Sequence, residues 1–344
     1  MKAMVLTGPG KPFELMDVPD PKPGPGEAVA RVLACGAGLT IQHTRAGRSK
    51  TAYPRIIGHE IAGEIVEVGA GVKDLRVGDP VTAYYYLTCG LCRWCKADRE
   101  TLCDNLAGTV GRHCDGGYAD YMKLPAQNFL ILPEGLDYKN HPAQVGVITD
   151  AIATPVKVIK KARIRAGETL AVIGAGGGLG MQMIVVAKWA GARVIAVDVR
   201  AEKFEACRTA GADNVIDAAS MNITEALMEL TGGAGADAVA DFVASGATLE
   251  AGFAGLGKGG RLVVLGGTAA KSFTADIERI KPEREILGSK YATKTEVREA
   301  LDLVASGAVW PVVTEIRPLE EAEALHKRVE EGLVIGRAAV TING

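Results

Sequence analysis

Four cysteines stand at Cys89, Cys92, Cys95 and Cys103, within fifteen residues of one another. Thiolates at such short spacings close readily into a tetrahedral sulfur cage, the preference of a structural zinc ion, and four of them leave no open coordination position for chemistry. The lobe is therefore expected to hold a loop. Residue types able to bind a metal or move a proton also stand scattered at Thr40, His43, His59, Glu60 and Asp150, and nothing in their spacing alone groups them. On the residues alone the favoured reading is that Thr40 bonds its own backbone and His43 lies on the surface.

A third feature is a glycine-rich run, Gly174-Ala175-Gly176-Gly177-Gly178-Leu179-Gly180, which follows an apolar segment, Thr169 to Ile173, and opens an apolar helical one, Met181 to Ala190. Strand, glycine turn and helix in that order let a backbone approach a pyrophosphate at a helix N-terminus. Eighteen residues past Gly180, Asp198 ends the next apolar segment, where a carboxylate can accept from both ribose hydroxyls and repel a 2′-phosphate. NAD is the expected cofactor. Arg200 is close enough to accommodate such a phosphate.

These residues need two kinds of scaffold, and 344 residues suffice for two domains. Up to about Asp150 the chain is rich in Gly and Pro, with short apolar runs at Ala28 to Leu33, Gly63 to Val68 and Pro80 to Tyr85, which predicts a β-rich domain. Beyond it, strands at Thr169 to Ile173, Arg193 to Asp198, Asp213 to Ile216, Ala238 to Phe242 and Arg261 to Leu265 alternate with helical segments, which predicts an α/β, doubly wound parallel sheet. Helices at Glu296 to Ala305 and Glu320 to Glu330 and a strand at Ala338 to Ile342 complete the chain.

Bulk properties exclude several partners. The net charge of −2 gives no basic field for nucleic acid or an anionic membrane. The apolar stretch Leu170 to Val197 is interrupted by glycines, Lys188 and Arg193 and reads as buried core. The N-terminus lacks the apolar run of a secretory signal and the cysteines are odd in number, so a cytoplasmic protein without a disulfide framework is expected. Cys114 and Cys207 read as small apolar residues, and His113, His141 and His326 as structural. Tyr84, Tyr85, Tyr86 and Trp94 could wall a pocket but read rather as core or interface.

Along essentially its whole length the chain resembles the zinc-containing medium-chain alcohol dehydrogenases. The resemblance rests on Gly58-His59-Glu60 with Ile61 to Gly69, on Val77 to Val81, on Gly116 to Ala119 and on Ile335-Gly336-Arg337, together with the glycine run and the cysteine lobe. It implies a GroES-like catalytic domain over 1–150, with the zinc lobe at about 86–106, a Rossmann NAD-binding domain over 151–288, and a segment 289–344 that completes the catalytic domain. It implies further a catalytic zinc that keeps one position open for the alcohol oxygen, as zinc in alcohol dehydrogenase does.

Within that resemblance His59 matches the ligating histidine and Asp150 the third ligand. Thr40 and His43 match a proton relay that runs through the cofactor ribose. Thr154, Gly176, Gly178, Leu179, Gly180, Asp198, Arg200, Lys203 and Arg337 fall at cofactor-binding positions, Arg337 against the pyrophosphate. The departure lies in Cys35-Gly36-Ala37-Gly38-Leu39-Thr40-Ile41: the ligating cysteine is replaced by Gly38, and the acidic residue that supports the histidine by Ile41. Glu60 could complete a ligand set with His59 and Asp150, and Cys35 is the other candidate.

The expected activity is reversible, NAD-dependent oxidation of a small-molecule alcohol to an aldehyde or ketone. Two alternatives follow from the altered site: a metal-free NAD(P)H-dependent reductase of an activated C=C bond or quinone, and a non-catalytic NAD-sensing or structural protein. A homo-oligomer, tetramer or dimer, is expected from the resemblance, with a strand near Lys281 to Tyr291 adding to its twin.

Overall fold

The computed structural model describes residues 1–266 and 272–342. The chain forms two compact units, Met1–Ala153 with Ala292–Gly344, and Thr154–Tyr291. The boundaries fall three residues beyond the expected 150 and 288.

In the first unit the main sheet has seven strands. Six run in the order Phe129–Ile131, Pro80–Ala83, Ile61–Val68, Glu27–Ala37, Arg337–Thr341 and Val313–Pro318, and Tyr121–Pro125 also pairs with Glu27–Ala37. Glu27–Ala37 is the longest, buried along most of its eleven residues, because it has neighbours on both edges and Val29, Val32 and Cys35 to bury. Arg337–Thr341 lies antiparallel to it with Ala338 opposite Ala37, so a strand from the far end of the sequence enters the middle of the sheet. A smaller sheet joins Phe13–Asp17, Lys2–Leu6 and Arg55–Ile56.

The second unit is a six-stranded parallel sheet in the order Asn214–Asp217, Arg193–Asp198, Thr169–Ile173, Ala236–Asp241, Leu256–Val264 and Glu285–Gly288. In chain order this is 3-2-1-4-5-6, the doubly wound arrangement in which the strand order reverses beside the first strand and opens a crevice at the carboxyl ends. Ile173, Val197, Ile216, Val239, Phe253 and Leu262 pack in one of its buried layers. The strand expected to begin at Arg261 begins at Leu256, because Gly257, Lys258, Gly259 and Gly260 have the look of a turn and yet continue the strand. Among the described residues no helix is long and apolar enough to cross a membrane.

Candidate active site, metal lobe and nucleotide cradle

The cysteine lobe assembles as its spacing requires. Sγ of Cys89 lies 3.5 Å from that of Cys103 and 4.0 Å from that of Cys95, and Cys92 lies 3.5 Å from Cys95 and 3.9 Å from Cys103. None is in a disulfide. The backbone N–H groups of Leu91 and Cys92 donate to Cys89 Sγ, and they draw its pKa down to about 6. Four sulfurs converging on one point, with amides aimed at Cys89 and Cys103, fit a zinc ion as the chemistry of a closed thiolate site demands. Glu100, buried behind the lobe, accepts from the backbone N–H of Lys294 and so ties the lobe to the helix Lys294–Ala305.

The second cluster is built from three segments of the first unit. Gly58 adopts a left-handed φ of 94° immediately before His59; a side chain there would run into the Tyr118 ring and Cys35 Sγ. His59 and Glu60 follow, at the mouth of the strand Ile61–Val68. Asp150 comes from a wide, π-helical turn, Ile148–Ile152, a local geometry that often re-aims a functional side chain. His59 Nε2 lies 3.6 Å from Asp150 Oδ2 and 3.8 Å from Glu60 Oε1, and all three groups are buried or nearly so.

Arg337 enters this cluster from the central strand. Its Nε donates to Glu60 Oε2 at 3.1 Å, its Nη2 is ion-paired with Glu60 Oε1, and Nη2 lies 3.7 Å from Asp150 Oδ2. Full burial lowers the Arg337 pKa to about 10, and the guanidinium stays charged at neutral pH. Glu60 Oε1, though ion-paired with the guanidinium, has no aligned hydrogen-bond donor in this buried site. An imidazole nitrogen and two carboxylate oxygens, one from Glu60 and one from Asp150, fit a zinc ion by donor chemistry. Such an ion would supply a Lewis acid to an alcohol oxygen.

Cys35 does not join the set. Its Sγ turns toward Gly58 and Gly117, and burial raises its pKa far above the thiol range. It is a core residue on a strand whose alternation points it away from the cluster. Ile41 is buried and offers His59 no acceptor; instead the ring of Tyr85 packs against His59.

Thr40 and His43 sit one turn apart on the short helix Leu39–Arg45. Thr40 lines a small cavity with Ile41, Thr44, Gly58, His59 and Arg112. His43 Nδ1 is 3.3 Å from Arg48 Nη1, and its pKa is lowered by partial burial first and then by the charges of Arg48 and Arg112. His326, read as structural, is fully buried with its Nε2 2.8 Å from the Tyr118 hydroxyl. His113 bonds to Thr109, and His141 meets Trp310 edge-on. Tyr84 and Tyr86 are core, while Trp94 is flanked by Arg93 and Arg99.

In the second unit the glycine run lies between the strand Thr169–Ile173 and the helix Gly180–Trp189. A Cβ at Gly180 would collide with the carbonyl oxygen of Gly174, which is how closely helix and strand approach. Gly176 N–H donates to Asp198 Oδ2 at 2.8 Å, while Asp198 Oδ1 accepts from Val199 and Arg200 N–H. Lys203 is buried against Gly176, and Thr154 is buried at the start of the unit. Gly178 and Leu179 complete the turn before the helix.

Comparison with known proteins matches residues 24–134 to the alcohol dehydrogenase GroES-like domain and 178–306 to the zinc-binding dehydrogenase model. An NAD-dependent alcohol dehydrogenase of Sulfurisphaera tokodaii is 35% identical, over 98% of this chain and 99% of its own length. The chain belongs to the zinc-binding medium-chain alcohol dehydrogenase family. Among solved structures, AibC matches with a TM-score of 0.90 at 34% identity, over 100% of this chain and 96% of that one. An NAD-dependent alcohol dehydrogenase matches with a TM-score of 0.91 at 30% identity, over the whole of both chains.

Sequence reasoning did not anticipate the position of Arg337 on Glu60 or of Tyr85 on His59. A signal for the first was present in Gly36 and Gly38: a Cβ at Gly36 would fall on the Glu60 carboxylate, and one at Gly38 on the Arg337 guanidinium.

Proposed function

We propose that the enzyme oxidises its alcohol with the hydroxyl held at the cavity where Thr40 and His59 meet, and that the proton leaves by way of Thr40 and His43. The observation that carries this reading is the shared cavity: Thr40 lies beside His59, and His43 follows one helical turn on. When bound at His59, Glu60 and Asp150, zinc would supply the charge that lowers the alcohol's pKa. Thr40 Oγ1 accepts the substrate hydroxyl's hydrogen bond and takes its proton as hydride leaves for NAD, giving up its own hydroxyl proton toward His43. His43 receives that proton, and burial with two neighbouring arginines keeps its imidazole neutral and ready to accept.

Replacing Thr40 by Ala removes the hydroxyl and should lower kcat by about 10²- to 10⁴-fold, whereas Thr40→Ser keeps the function. The measurement is NADH formation from a panel of primary and secondary alcohols. An unchanged rate in Thr40→Ala would refute the relay.

A second reading is favoured by Gly38, which offers no ligand atom, and by Arg337 among the carboxylates: NAD(P)H-dependent reduction of an activated C=C bond or quinone without a metal. No turnover of any alcohol, with NADH consumed by enones or quinones, would establish it. We place the enzyme in the cytoplasm, as a homo-oligomer. The edge strand Glu285–Gly288, with Ile286 exposed, is the surface through which two copies would pair.

A further inference from the structure

The place where this family's resemblance calls for a ligand side chain is taken by a cation of the protein's own. Ala338 faces Ala37 across the central strands, so the antiparallel register carried one step further sets Arg337 opposite Gly38. From there the guanidinium reaches Glu60 and Asp150. The oxygens it meets through Nη2, Glu60 Oε1 and Asp150 Oδ2, are the same two that lie 3.8 Å and 3.6 Å from His59 Nε2 and form the ligand set with it. A divalent ion and the guanidinium would thus need the same two oxygens.

Gly38 is what admits the guanidinium. A Cβ on residue 38 would stand 2.5 Å from Nη2 and 2.8 Å from Cζ and Nη1 of Arg337, closer than non-bonded carbon and nitrogen approach. Any side chain at 38 therefore displaces the tip of Arg337. Charge argues in the same direction. Two carboxylates already face one positive group, and a metal ion added beside it would feel like-charge repulsion over a few ångströms in a buried site.

We propose that Arg337, admitted by Gly38, is a built-in competitor for the catalytic metal, so that zinc binds at His59, Glu60 and Asp150 only as the guanidinium withdraws from the two carboxylates. The inference rests on reading that cluster as the metal centre. It makes the two zinc sites unequal: the thiolate lobe holds its ion tightly, and the second site exchanges.

The test is zinc affinity and stoichiometry on the full chain, measured by competition with a chromophoric chelator and independent of turnover. Gly38→Ala adds one carbon and no donor atom, and Arg337→Gln removes the cation. Both should tighten the second zinc at least 10-fold over the unsubstituted protein and leave the first unchanged. Thermal melting identifies which variants are folded, and either folded variant is sufficient to decide. A second-site affinity that is unchanged or weaker in a folded variant overturns the competition while leaving the metal centre in place. Failure to bind a second zinc in the unsubstituted protein, in both variants and in Gly38→Cys, which restores a thiolate, overturns the metal-centre reading and the proposal together.

Discussion

The ring of Tyr85 lies 4.4 Å from that of His59, centre to centre, and is tilted by 43° to it. With Ile41 where an acidic partner would stand, this packing is one restraint on the imidazole beside the Glu60 and Asp150 carboxylates. Tyr85→Ala is therefore expected to lower kcat/KM by roughly 2- to 10-fold, the kinetic equivalent of ~0.5 to 1.5 kcal/mol of ring packing, while Tyr85→Phe stays within a factor of two. Initial rates at saturating NAD check this. Equal losses in both variants would show that the hydroxyl, not the ring, matters.

Removing one thiolate from the lobe leaves three and opens the cage. In Cys103→Ser the protein should lose one zinc per chain and melt lower by roughly 10 °C, since a structural metal's binding energy is folding energy. Metal analysis with calorimetry on the same samples is the measurement. A variant that loses its zinc and melts unchanged would show that the lobe folds without it.

Asp198 holds the turn of the nucleotide cradle through Gly176 N–H and presents a carboxylate at the end of its strand. Asp198→Ala removes the charge that repels a 2′-phosphate and leaves Arg200 and Lys203 nearby. The ratio of kcat/KM for NADP to that for NAD should rise by at least ~10-fold, about 1.4 kcal/mol of discrimination. Steady-state kinetics with both cofactors decides, and a constant ratio would remove Asp198 from cofactor choice.

His326 is wholly buried, and desolvation, helped by the Arg45 charge, lowers its pKa from 6.5 to about 3. A depressed folded-state value means that the unfolded chain binds the proton more readily. Its contribution to stability is therefore complete above pH 6.5 and is lost as the pH falls from 6.5 toward 3, by at most about 1.4 kcal/mol per pH unit. Urea unfolding at steps between pH 4 and pH 7 should show this slope, reduced in His326→Phe, which also forgoes the Tyr118 hydrogen bond. An identical slope in the variant would assign the acid sensitivity to other groups.

The features legible in the sequence were those whose chemistry is local. Cys89 to Cys103 are close along the chain, so spacing alone brought their sulfurs together, and the glycine run with Asp198 belongs to one strand-turn-helix-strand unit. The Arg337–Glu60 pair was not legible, because it joins residues 277 positions apart through a sheet register that no local pattern encodes. Cys35 was misplaced as a ligand candidate for a related reason: proximity to Gly38 in sequence hid the strand alternation that turns its sulfur into the core. The strand that starts at Leu256 was read short because Gly257, Gly259 and Gly260 look like a turn when their neighbours are unknown. Gly36 and Gly38 carried information in the absence of side chains, and its meaning depended on knowing what fills the space.

The same separation bears on how the protein comes into being. At ~5 to 20 residues per second of synthesis, Arg337 leaves the ribosome roughly 15 to 55 seconds after Glu60. In that interval the parallel-sheet unit, encoded between them, can fold, while the strand Glu27–Ala37 keeps its Ala34–Ala37 end unpaired on one edge and Glu60 lacks the Arg337 counter-charge. The nascent first unit thus passes through a stage at which an unpaired sheet edge must be shielded, and Glu60 can be neutralised then by a captured metal ion or by a proton.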